Sequence, residues 1–360
     1  MTRRSALAIV LGAAVLPRLA VLLAERGSIL EELVEKSDRF AQTLVASGTF
    51  GFLPGRPSGY TQPLYAWFLA GLYQVIERHW LAVGLAHIAV AALTAVLVLE
   101  IGRRVVSLRA GALGATIATL HPFLVWHDVH LNREILDGLL VAAIALLALL
   151  VAERRGALLA LGLGGAAGLA ILGNARLALL PLVLAGFVAL PLERSRGLSG
   201  KWPRWMTRGR RGEARTQGAP IFEDIGATED AASRRLTRVR RPGSLSGQAP
   251  GRSLVLAGAV VAGAALVVVP WMARNENSVG CFVLTTDTRA LWKANNESTH
   301  ETLARGGWID DVPEPVDGPP WPEYAADLTL AGQPTEVDEC GQQRYYRKLV
   351  FDFWREEPGE

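Results

Sequence analysis

Half of the 360 residues are hydrophobic, 20% are charged, and the mean hydropathy is +0.25. The apolar residues come in long blocks rather than at the period of a soluble helix or strand, which excludes an ordinary soluble globular chain. The formal net charge of +3 is small, but it is the balance of one strongly basic and one strongly acidic segment.

Nearly uncharged runs occupy residues 6–24, 81–99, 111–126, 135–152, 157–172, 177–192 and 254–272. Several approach the ~20 residues that cross ~30 Å of hydrocarbon, and the shorter ones suit a bundle. The expected fold is all-α: a polytopic membrane helix bundle of about seven spans. The first run follows "MTRR" but holds Arg18 and lacks a small-x-small cleavage site, so it reads as a retained helix rather than a signal peptide. Arg3 and Arg4, then Arg103, Arg104 and Arg109, then Arg154 and Arg155 alternate with seven spans in a way that keeps the amino terminus cytoplasmic.

After the first span, residues 25–80 form a long outer loop with its own order. Ile29 to Ser47 carries Leu30, Leu33, Val34, Phe40, Leu44 and Val45 at roughly helical spacing, with Glu31, Glu32, Glu35 and Lys36 between them. That pattern describes an amphipathic helix on the membrane surface, its acids solvated. "GTFGFLPGRPSGYTQP" ends it, and Leu64 to Ile76, about 13 residues, is too short to cross alone and reads as a second interfacial or re-entrant helix. Counting that segment as a span would put the basic loops outside, against the charge rule.

Residues 193–252 hold 14 Lys and Arg against 6 Asp and Glu and cannot bury a core, so they are expected to be a disordered cytoplasmic loop touching anionic lipid rather than nucleic acid. Residues 253–272 are the seventh span. Residues 273–360 reverse the balance, with 8 basic and 17 acidic residues, on the outer face. Cys281 and Cys340 lie there; an oxidising compartment would let them pair and a reducing one would leave two thiols.

Ionisable groups at a membrane boundary are costly unless they face a cavity, and each is a candidate. Asp38 lies in the first outer helix. His127, His130, Glu134 and Asp137 are spaced by three, four and three residues and would share a face if one helix held them, which would suit a divalent metal. Arg18, Arg176 beside Asn174, and Arg274 beside Asn275 could gather a phosphate, because guanidinium binds phosphate bidentately. No phosphate-binding loop, dinucleotide fingerprint, zinc-finger cysteine set or nucleophile elbow occurs.

An outer-loop Asp after the first span, "QPLYAWFLAGLY", "NREI", "GLAILGNARLALLPLVL" and "VVVPWMARNENSVGCFVLTTDTRALWKANN" occur in this order. Together they resemble the integral-membrane glycosyltransferases of the C superfamily, of the bacterial family 39 type related to protein mannosyltransferases and aminoarabinose transferases. The resemblance implies a helical bundle of the bacterial inner membrane that takes a sugar from a polyprenyl phosphate donor and passes it to a lipid, glycan or protein acceptor at the outer face. It implies that Asp38 is the catalytic carboxylate, that Arg176 and Arg274 bind the donor phosphate, and that Glu134 positions the acceptor or a divalent metal; the His and carboxylate spacing above adds His130 to Glu134 in that role. No other cofactor is implied. A second acid does not follow Asp38, "GNAR" replaces a Thr-Arg or Ser-Arg step, and the chain stops where family members generally continue into more spans. The other class of reading is a non-catalytic lipid carrier or assembly subunit, in which the same arginines hold a lipid phosphate.

Overall fold

The computed structural model describes residues 1–32, 34–190, 250–315 and 318–357. Nearly all of the basic segment 193–252, with its expected disorder, therefore lies outside the described residues. Among the described residues the chain is helical, with one isolated bridge between Leu53 and Arg56. In hydrocarbon every backbone N–H and C=O needs a partner within its own segment, and helices provide it.

Four helices are long and apolar enough to cross a membrane: α1 (Arg3–Ala24), α4 (Trp80–Val105), α7 (Glu134–Arg154) and α10 (Pro250–Val279), whose apolar stretch is Ser253–Val279. Shorter apolar helices are α3 (Pro63–Ile76), α8 (Ala157–Gly173) and α9 (Leu180–Ala189), the last led in by a single 3-10 turn, Ala175–Leu177. The chain is thus a multi-pass membrane helix bundle.

Two expected elements differ. The predicted span at 111–126 is broken into α5 (Leu108–Thr119) and α6 (Pro122–His127). Pro122 has no N–H to continue a helix and pushes the residue before it out of the α region, and His121 has ψ 121°. The predicted amphipathic helix at 29–47 begins only at Lys36, as α2 (Lys36–Ser47), behind an extended Glu35. Ile29 is buried with Leu22, Ile88 and Val129, so its side chain serves the bundle rather than a surface helix.

The ends of the bundle are unlike. Arg3, Arg103 and Arg104 meet Glu100, and Arg104 also reaches Glu153, at the lower end. The upper end carries residues 25–79, the turns before α7 and after α8, and residues 280–357. There Arg18, only 2% exposed, pairs with Asp128: Nε and Nη2 reach Oδ2 at 2.8 and 2.6 Å. Its Nη1 donates to the carbonyls of Ala14 and Thr119 and to Thr119 Oγ1. Arg18 thereby ties α1 to α5 and the α6–α7 turn, with no guanidinium edge left for the phosphate that the sequence suggested. His87 links the same turn to α3: Nδ1 donates to the Asp128 carbonyl (3.1 Å), and Nε2 is hydrogen-bonded to Tyr65 Oη (3.1 Å).

Helix α8 lies against α10 at backbone contact. A Cβ built on Gly164 would sit 2.0 Å from the Val260 carbonyl oxygen, and one on Gly263 would sit 2.2 Å from that of Leu161. Small residues let two backbones approach where lipid supplies no hydrophobic drive.

Residues 280–357 fold onto the upper end through α11 (Arg289–Lys293), α12 (Glu297–Ala304), α13 (Pro322–Leu330) and α14 (Glu339–Glu356). Their core is shared with the first loop: Phe40, Phe50, Phe52 and Tyr60 pack in one cluster with Trp292, Trp321, Tyr346 and Val350. Cys281 and Cys340 are disulfide-bonded, with Cα atoms 6.0 Å apart, so the question the sequence left open is answered and α14 is pinned beside the end of α10. Next to Cys340, buried Glu339 accepts hydrogen bonds from Gly59 N–H (2.9 Å) and Thr286 Oγ1 (2.7 Å).

Two stability outcomes follow from these contacts. Gly263→Ala should cost roughly 1–3 kcal/mol through overpacking, whereas Gly258→Ala, which meets nothing within 4 Å, should be neutral. Arg18→Gln should cost about 3–5 kcal/mol because it leaves a buried carboxylate unpaired. Thermal unfolding of the detergent-solubilised variants measures both.

Candidate functional site

Asp38 stands in the first turn of α2 and is 2% exposed. Its Oδ1 accepts from Tyr73 Oη at 2.5 Å and from Arg78 Nε at 3.2 Å. Its Oδ2 accepts from Gln42 Nε2 at 2.8 Å and from Arg78 at 3.1 Å (Nε) and 3.0 Å (Nη2). A carboxylate has about four acceptor sites, and here all are used. Arg78 also donates to the Leu30 carbonyl at 2.8 Å, which joins the loop before α2 to the turn between α3 and α4. Neither Tyr73 nor Arg78 stood out in the sequence. Tyr73 is one of several aromatics in α3, and Arg78 lies 40 residues from its partner.

Three further carboxylates gather beside the α6–α7 turn. Glu35 caps α2 one turn before Asp38 and is half-buried rather than solvated. Burial pushes its carboxyl up to about 7; Arg133 opposes the rise through its charge and its backbone N–H, while Glu134 and Asp137 add to it. Arg133 Nη1 donates to Gln62 Oε1 at 3.0 Å. Asp137 meets Asn174, and its Oδ1 would lie 3.1 Å from a Cβ built on Gly173, so α8 ends directly against it. Glu134 is exposed, in the first turn of α7. His130 is 1% exposed, with Nδ1 donating to the Trp126 carbonyl and Nε2 buried without a hydrogen-bond partner among the described residues.

The one-face arrangement of His127, His130, Glu134 and Asp137 does not form. Helix α6 ends at His127 and α7 starts at Glu134, so no single helix holds all four; only Glu134 and Asp137 stay together, in the first turn of α7. Among the described residues no group of three or more His, Cys, Asp or Glu side chains is placed to hold a metal ion.

The two phosphate-binding candidates sit in different settings. Arg274 is half-buried and largely spent on structure: Nη1 donates to the Ser58 carbonyl (2.7 Å) and Asn275 Oδ1, and Nη2 to the Phe50 carbonyl (3.0 Å). Its guanidinium also lies over the rings of Phe50 and Trp271. Arg176 is exposed in the turn after α8, and its guanidinium has no partner among the described residues.

Arg274 is one of the residues lining a cavity of about 580 Å³ between α2, α3 and α10, with Leu44, Phe50, Trp67, Val267 and Trp271 among the others. The lining is mainly apolar and aromatic, with the hydroxyls of Thr49 and Ser278 and one cation. Asp38 and Leu44 share α2, about 9 Å apart along its axis. A carboxylate-rich polar cluster and an apolar groove thus adjoin along one short helix, an arrangement that can hold a molecule with a lipid tail and a polar head.

Residues 56–206 match the family model for dolichyl-phosphate-mannose-protein mannosyltransferase, a stretch that includes α3 to α9. No curated protein and no solved structure matches the chain. The match covers Arg78, Arg133, Glu134 and Arg176, while Glu35, Asp38 and Arg274 lie outside it. It supports for this chain the resemblance its motifs carry, to the C superfamily of membrane glycosyltransferases that use a lipid-linked donor.

Proposed function

We propose that this protein transfers a hexose or pentose from a polyprenyl phosphate donor to an acceptor at the extracytoplasmic face of a bacterial inner membrane. The observation that carries the reading is the adjacency, along α2, of the Asp38 and Glu35 cluster and the groove that Arg274 lines. A polyprenyl chain is the apolar partner such a groove suits, and the sugar phosphate would then lie toward the head of α2. The concentration of arginines at the lower end supports a cytoplasmic amino terminus and an extracytoplasmic site.

In this reading Asp38 orients the head of the site through Tyr73 and Arg78. Arg176 and the remaining edge of Arg274 take the donor phosphate, whose charge grows as the sugar leaves. Glu134 and His130 position the acceptor. The leaving phosphate needs little protonation, so cationic stabilisation and one proton acceptor are enough chemistry. Lipid, glycan and protein acceptors all suit an open upper end. One observation favours the other class: a carboxylate with every acceptor site filled would suit a non-catalytic polyprenyl phosphate carrier equally well.

The test is release of free polyprenyl phosphate from a panel of polyprenyl phosphate sugars by the protein in liposomes. Asp38→Asn should lower release by about 10², since loss of the carboxylate charge loosens Arg78 and misplaces the head of the site; wild-type binding without release would favour the carrier. Arg176→Ala should weaken donor binding about tenfold, the loss of one charge-assisted contact, while leaving thermal stability unchanged because its guanidinium has no described partner to lose.

A further inference from the structure

We propose that Glu35, rather than Asp38, takes the acceptor's proton during sugar transfer; the inference rests on the transferase reading above. A general base needs a free acceptor site within reach of the proton it removes. Asp38 has none, since Tyr73, Gln42 and Arg78 occupy both of its oxygens. To reach an acceptor hydroxyl it would have to give up the Tyr73 bond, the Gln42 bond or the Arg78 pair.

Glu35 caps α2 one turn before Asp38, and among the described residues Arg133 is its hydrogen-bond partner. Its carboxylate is half-buried, so it is sheltered enough to attract a proton and open enough to return that proton to water. The groups around it are Arg133, Glu134 and Asp137 from the start of α7, Tyr65 from α3, and Asp38 on its own helix. Burial against two like charges and one opposite charge holds the carboxyl near 7, where a base is half ionised at neutral pH and strong enough to act.

An independent observation marks the same place. Among the described residues, Arg133 Nε and Asp137 Oδ1, on the two groups whose charges oppose and add to the rise at Glu35, are buried without a hydrogen-bond partner. Buried polar atoms are nearly always partnered, so these two atoms beside Glu35 point to a polar group that is bound there in use. Donors and acceptors are both represented, which fits a hydroxyl-bearing acceptor better than a simple anion or cation.

The step balances without a co-reactant. The acceptor hydroxyl oxygen forms a bond to the anomeric carbon of the sugar, the bond from that carbon to the phosphate oxygen breaks, and its electron pair leaves with polyprenyl phosphate. The hydroxyl proton passes to a Glu35 Oε and from there to water. Asp38 takes no part in the proton transfer and positions Tyr73 and Arg78.

The test is the pH dependence of polyprenyl phosphate release for the wild type, Glu35→Gln and Glu35→Asp in liposomes. The wild-type rate should fall as pH drops through about 7. Glu35→Gln should lose about 10²–10⁴ in rate, keep its donor affinity and show a flat profile, and Glu35→Asp should retain a displaced acidic limb. An unchanged limb or a loss below tenfold in Glu35→Gln would overturn the proposal while leaving the transferase reading intact. No release by the wild type from any donor would remove both, and the control separates that case.

Thermal stability gives a readout that does not depend on turnover. The folded carboxyl titrates above the ordinary value of 4.5, so as pH rises from there through 7 the unfolded chain ionises first and stability is lost. Glu35→Gln should therefore raise the melting temperature above pH 7 and be neutral near pH 4.5. A lower melting temperature at pH 8 would make Glu35 a structural partner of Arg133, and the proposal would fall.

Discussion

The upper end of this bundle turns on the buried carboxylate of Asp38. A charge so far from water is tolerable only when it is paired and fully hydrogen-bonded, and Tyr73, Gln42 and Arg78 supply that. The bonds add to the apolar packing of α2 on α3: Gln42 belongs to α2, Tyr73 to α3, and Arg78 to the turn before α4, from which it also holds the Leu30 carbonyl. Asp38 therefore sets where α2 lies. The position of α2 in turn decides that Glu35 faces Arg133 at one end and that Leu44 borders the groove at the other.

Residues 280–357 stabilise this arrangement from above. Glu339 holds Gly59 and Thr286, the disulfide fixes the neighbouring Cys340 to Cys281, and Arg274 clasps the carbonyls of Phe50 and Ser58. Phe50 and Phe52 then bear edge-on against Phe40, ring centroids 4.9 and 4.6 Å away, on the far side of α2 from Asp38's partners. The acidic segment is thus part of the wall of the candidate site rather than an appendage. Arg39 and Lys36 at the start of α2 reach it directly, through Asp327 and Glu323.

The division of labour among the charges is chemical. Arg18 and Asp128 satisfy each other deep between helices and leave nothing to bind with. Asp38 is saturated too, but beside solvent-accessible groups, so it can orient without reacting. Glu35, Glu134 and Asp137 are under-partnered, and repulsion among them is only partly offset by Arg133. In a low-dielectric setting the under-partnered groups are the ones whose protonation a bound molecule can change.

The membrane bundle, its long spans, the short α3 and the contrast between basic and acidic ends were all legible in the sequence. Blocks of Ala, Leu and Val and the placement of Arg are local signals, and hydrocarbon leaves the backbone no alternative to a helix. Asp38, Glu134 and Arg176 stood out as ionisable residues at the boundary for the same reason. The tertiary structure alone decided what each does. Arg18 resembled Arg176 in the sequence, yet one is wholly buried against Asp128 and the other is exposed. Glu35 resembled the solvated Glu31 and Glu32 until α2 docked beside Arg133. Cys281 found Cys340 across 59 residues, and Arg78 found Asp38 across 40. A residue's hydropathy is its own, but its partner depends on which helix ends the packing brings together, and that is settled by close contacts such as Gly164 on Val260 between segments far apart in the chain.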